Sequence, residues 1–154
     1  MLGSRVKGGQ LGELGTTERV IRQILLATLA IGVVGTAIEL VLLEHYESWN
    51  QRIPLGLLGC AALVLVWHGI DRGPAPVHTL QILMLVFVLT GILGVYLHYS
   101  GNREFELEMY PTMSGMELFR KTMMGATPAL APGTMIQLAL VGLAYTFRHP
   151  RLDY

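Results

Sequence analysis

The sequence predicts an all-α integral membrane protein: an antiparallel bundle of four transmembrane helices, with an outward-facing loop that contains a short amphipathic helix. Three observations predict it. The 154-residue chain is 52% hydrophobic. Its charged residues make up 14%, against about 25% in an ordinary soluble domain, and its mean hydropathy is +0.49. Four apolar runs cover residues 24–43, 53–70, 77–99 and 133–147. Crossing the hydrocarbon core takes roughly 20 residues. The first and third runs clear that length and the second falls slightly short. The fourth is the shortest, with the apolar stretch 126–132 ahead of it free to enter the interface.

Residues 1–19 are rich in glycine and polar side chains and are expected to form a flexible cytoplasmic N-terminus. Thr16 or Thr17 suits the N-cap of the first helix. Glu39 and bulky leucines, rather than a small-residue cleavage site, follow the first apolar run, so that helix is expected to remain as an uncleaved anchor. The membrane domain then occupies residues 20–149, and 150–154 form a short tail. The connection 44–52 is short enough to make a tight hairpin of the first two helices. Cys60, the single cysteine, sits mid-helix beside Gly56 and Gly59; it reads as a small packing residue, and an intrachain disulfide is excluded. Gly73, Pro74 and Pro76 stiffen the connection between the second and third helices and stop both.

The stretch 100–132 is too long for a simple loop and forms the outer cap. Glu104, Glu106 and Glu108 alternate with apolar residues, which reads as extended chain. Ser114 and Glu117 have capping-box spacing. Met116, Phe119 and Met123 recur behind them at helical spacing, and Gly125 can end the turn. This is the amphipathic helix, expected on the outer membrane surface.

Orientation follows from the basic residues. Arg5, Lys7, Arg19, Arg22, Arg72, Arg148 and Arg151 fall on one side; Arg52, Arg103, Arg120 and Lys121 fall on the other, seven against four. Both termini are therefore expected in the cytoplasm, with the chain in a bacterial inner membrane. Tyr46, Trp49, Tyr96 and Tyr99 make the outer aromatic belt, and Trp67, Tyr145 and Phe147 the inner one.

Two helices repeat one pattern: Gly32, Gly35 and Glu39 in the first, Gly91, Gly94 and His98 in the third. These offsets fall within about 60° on a helix, giving two smooth glycine stripes that each end in an ionisable group. Gly56 adds a comparable position on the second helix. Glu39 and His98 are expected at similar depth, as a buried polar pair. The repeat also hints at a duplicated helical hairpin.

His45 and His98 gather at the outer face. Together with Met109 and Met113 of the methionine-rich cap they are the candidate metal ligands, since thioethers and imidazole suit copper. A bis-histidine haem needs two imidazoles at one depth, which only His45 and His98 offer. His68, His78 and His149 read as ordinary interface histidines. No phosphate-binding glycine loop, zinc-protease motif or nucleophile elbow occurs, so no catalytic set is assigned. Scattered basic residues argue against nucleic acid. The expected function is a non-catalytic accessory or assembly subunit of a larger membrane complex, with the lipid bilayer, other subunits or a second copy as partners. The alternative is an outward-facing copper, haem or lipophilic-ligand protein using Glu39, His45, His98 and the cap methionines.

Overall fold

The computed structural model describes residues 3–125 and 127–152, with side chains from residue 15 onward. Among them all regular structure is helical: α1 (Gly3–Leu42), α2 (Trp49–Ile70), α3 (Ala75–Met109), α4 (Gly115–Met123) and α5 (Gly133–Thr146). Three stretches are long and apolar enough to cross a membrane: Gly15–Leu42 within α1, α2 and α3. Only 11%, 17% and 22% of their most apolar windows is buried inside the protein, so most of that apolar surface faces outward, where lipid would cover it.

α1 begins at Gly3 instead of at a Thr16 or Thr17 cap. Once the apolar run has nucleated the helix, each further turn adds a hydrogen bond without a new nucleus. The same physics overrides the extended segment expected over 104–109. α3 continues through it to Met109, because Glu, Leu and Met are good helix formers and the helix is already running. At 35 residues α3 is about 52 Å long, well beyond the roughly 30 Å hydrocarbon core. α5, at 14 residues, spans only about 21 Å.

α5 packs against both α3 and α1, and α2 packs against the same two helices. Leu29, Val33, Leu58, Leu80, Met84 and Phe87 are fully buried between them. The glycine stripes explain the close approach of α5. A side chain at Gly32 would collide with Leu138. A β-carbon at Gly91 would lie 2.6 Å from Ile136 and 3.1 Å from the Pro132 carbonyl, and one at Gly94 would lie 2.6 Å from Pro132. Gly142 answers from α5, pressed against Met84 and Leu29. The α3 stripe therefore lies against α5 at both glycines, while α1 meets α5 at Gly32. Gly35, Gly56 and Gly59 meet open space.

α4 forms where the amphipathic spacing predicts it, after Ser114, although the Ser114 side chain makes no capping hydrogen bond. The buried Asn102 holds the cap onto α3. Its Nδ2 donates to the Thr122 carbonyl at 3.0 Å and to the Thr127 carbonyl at 2.6 Å, and its Oδ1 accepts from the Thr127 N–H at 3.3 Å. Gly125 sits directly over that amide, where a β-carbon would be 2.6 Å from Asn102 Cγ.

Candidate functional site

The polar chemistry collects at the end of the molecule where α2 and α5 stop. A helix ends with carbonyls that lack intrahelical partners, and in an apolar setting each needs a donor. Arg22 of α1 supplies them for α5. Its Nη1 donates to the carbonyls of Tyr145 (2.7 Å) and Phe147 (3.1 Å), and its Nη2 to those of Phe147 (3.1 Å) and Arg148 (3.0 Å). Glu18 orients the same guanidinium, at 3.0 Å from Nε and 2.8 Å from Nη2. Arg151 does the equivalent work for α2, its Nη1 donating to the His68 carbonyl at 3.1 Å and the Asp71 carbonyl at 3.0 Å. Positive charge at a helix C-terminus also opposes the negative end of the macrodipole.

Between the two clamps lies a buried cluster of His68, Tyr145 and His149. The arginine fixes its proton positions. Arg151 Nη1 can only donate, so His68 Nδ1 accepts at 3.1 Å and the proton of the neutral ring is on Nε2. The Arg151 backbone N–H donates to His149 Nδ1 at 3.2 Å, which likewise places the His149 proton on Nε2. Both Nε2–H groups then donate to the Tyr145 hydroxyl oxygen, at 2.5 Å from His68 and 3.2 Å from His149. The oxygen's lone pairs are filled, and the hydroxyl proton is the one donor of the network without an acceptor among these groups. Burial first, and then the proximity of His68, Arg22 and Arg151, lowers the His149 pKa to about 4. The ring is neutral at physiological pH.

A cavity of about 420 Å³ opens beside this cluster, between the start of the α1 span and the end of α5. Its walls are chiefly carbon, with Arg19, Arg22, Tyr145, His149 and Arg151 among the polar groups. Arg19 is exposed and has no partner among the described residues.

At the opposite end, the ring centroids of His45, in the α1–α2 turn, and His98 of α3 are 6.1 Å apart. His98 Nδ1 donates to the Pro128 carbonyl at 3.1 Å. Burial, and secondarily His98, lowers the His45 pKa. The structure does not bring Glu39 to His98. Glu39 is exposed, and the only ion pair among the described residues is Arg22–Glu18. Gly91 and Gly94 of the stripe that carries His98 lie against α5, whereas Gly35 beside Glu39 meets open space, so equal depth does not become contact. Met109 lies eleven residues beyond His98 on the same helix, about 16 Å along its axis, and Met113 follows after the helix has ended. The four candidate metal ligands therefore do not share one site. No cluster of three or more His, Cys, Asp or Glu residues capable of holding a metal occurs among the described residues. Cys60 is a free, exposed thiol on α2.

Sequence reasoning grouped His68 and His149 with His78 as interface residues. His78 is exposed, whereas the other two converge on Tyr145. The four-residue spacing of Tyr145 and His149 was the available signal. The partners from α2 and the tail could not be read from it, because they come from distant parts of the chain. Compared with models of protein families, with curated proteins and with solved structures, the chain matches none.

Proposed function

We propose that the protein is a non-catalytic polytopic membrane protein acting as an accessory or assembly subunit of a larger membrane complex, energy-transducing and transport complexes being the candidate classes. In this reading α5, extended by residues 127–132, makes a fourth crossing and completes an antiparallel bundle. Both termini face the cytoplasm of a bacterial inner membrane, as the distribution of basic residues favours. The observation that carries the reading is the cap. Phe105, Met109, Tyr110, Met116 and Met124 are all more than half exposed. In this reading the hydrocarbon core covers residues 77–99 of α3, so Phe105 and Met109 stand beyond it on a helix some 20 Å longer than the core. Apolar side chains grouped beyond the membrane mark a protein contact, and methionine suits an adaptable one.

The test is site-specific photocrosslinking in native membranes, from a probe at Met116 and from one at Leu89 within α3. The Met116 probe should form a discrete heteromeric adduct that Phe105→Glu removes, while the Leu89 probe gives lipid adducts. Adducts at multiples of the 16.9 kDa chain mass would indicate self-association and overturn the accessory-subunit reading. Lipid adducts alone from Met116 would do the same.

One observation favours the second reading, an outward-facing metal or haem site: the adjacency of His45 and His98. That site keeps the two imidazoles and gives up Glu39, Met109 and Met113. Titration of the purified protein with Cu(I) and with haem, comparing wild type and His98→Gln, tests it. Equal uptake by both proteins would remove this reading.

A further inference from the structure

We propose that the cavity between the start of the α1 span and the end of α5 binds the phosphate-bearing head of an anionic amphiphile. Three independent features converge there. The first is charge. Arg19, Arg22 and Arg151 line the cavity with Glu18 as the acidic residue beside them. His149 adds no charge, because its Nδ1 accepts the Arg151 N–H. These side chains thus give the wall a net charge of plus two, which attracts an anion.

The second feature is unspent donors. Arg22 is consumed by Glu18 and the α5 carbonyls, so it contributes field but little bonding capacity. Arg151 uses only Nη1, leaving Nε and Nη2 without partners among the described residues. The whole Arg19 guanidinium is also without a partner among the described residues. The Tyr145 hydroxyl, accepting from both histidines, retains a proton that needs an acceptor. Guanidinium groups with free donors are matched to phosphate oxygens in both charge and geometry.

The third feature is place. The cavity walls are mostly carbon, and Leu26 carries them into the apolar part of α1. The cationic groups thus share the cavity with apolar wall that an acyl chain could contact. This is the arrangement of a membrane phospholipid, with its head among arginines and its chain along apolar helix faces. Fixing Arg22 and Arg151 on helix ends also means that the ligand meets a preorganised field, with little side-chain entropy lost on binding.

Two sources share this chemistry, a lipid headgroup and free phosphate, and native mass spectrometry of the protein in neutral detergent separates them. Phosphatidylglycerol, phosphatidylcholine and inorganic phosphate are titrated separately. Selective retention of phosphatidylglycerol supports the site with the lipid as source; retention of inorganic phosphate at comparable concentration supports it with the free anion as source. Arg19→Gln, which touches no structural bond, should weaken phosphatidylglycerol binding about tenfold. Arg103→Gln, at the opposite end of the molecule, should leave it unchanged. Tyr145→Phe should weaken binding by a smaller factor while leaving the native mass of the detergent-solubilised protein unchanged. Retention of neither anion over phosphatidylcholine would overturn the proposal, and so would equal losses from Arg19→Gln and Arg103→Gln.

Discussion

The two ends of this molecule close their helices by opposite means. At the end holding α2 and α5 termini, guanidinium groups brought from elsewhere in the chain satisfy the terminal carbonyls, and a buried histidine–tyrosine network fills the space between them. At the other end uncharged contacts secure the cap, the buried Asn102 amide with His98 on the Pro128 carbonyl, while apolar side chains remain exposed around them. The difference shows where the chain holds itself together and where it leaves surface for something else. At the clamp, removing one guanidinium strands several carbonyls at once, so Arg22 and Arg151 themselves are fixed in place. A small amide staple under an exposed apolar cap positions a surface without covering it.

The sharpest way to break this comparison is Arg22→Leu. It removes donors to three carbonyls, of which that of Tyr145 is the most buried, and should lower stability by about 2 kcal/mol; loss of the exposed Glu18 pair adds little. Thermal unfolding in detergent measures it, and an unchanged midpoint would mean that water already serves those carbonyls. Gly91→Leu should come next, at about 1–3 kcal/mol, because the β-carbon meets the rigid Pro132 carbonyl as well as Ile136. Gly35→Leu, built into open space, is the matched control and should stay near wild type in the same assay. If the two glycine variants behave alike, α5 is not seated on the α3 stripe.

Asn102→Ala should cost about 1–3 kcal/mol locally rather than globally. Limited proteolysis between residues 110 and 132 would then accelerate while the melting midpoint moves little; equal cleavage rates would show that the cap is held by other contacts. The smallest effect concerns pH. His149 is harder to protonate in the folded protein, at about 4, than in an unfolded chain, at about 6.5. Between those values the unfolded state binds more protons, so stability is complete above about pH 6.5 and declines as pH falls toward 4. His149→Gln should flatten the melting profile over that window, and a wild-type slope in the variant would assign the loss to other groups.

Much of this was legible in the residues themselves. Hydropathy and run length mark the chain as helical with four apolar runs, of which three form helices long and apolar enough to cross a membrane, since a span must be apolar and must satisfy its own backbone wherever it lies. The spacing of Met116, Phe119 and Met123 likewise determines α4, because amphipathic periodicity is a local property. Glycine spacing marks faces that admit close neighbours, but only packing decides which neighbour arrives. α5 covers Gly32, Gly91 and Gly94 but leaves Gly35 open, and Glu39 stays exposed instead of meeting His98. The alternation over 104–109 gave way to a helix that had already paid its nucleation cost. The polar cluster lay furthest from view. Arg22, His68, Tyr145 and Arg151 are up to 129 positions apart in the chain. Tertiary structure alone assembles them, because terminal carbonyls of α2 and α5 require donors that neither helix contains.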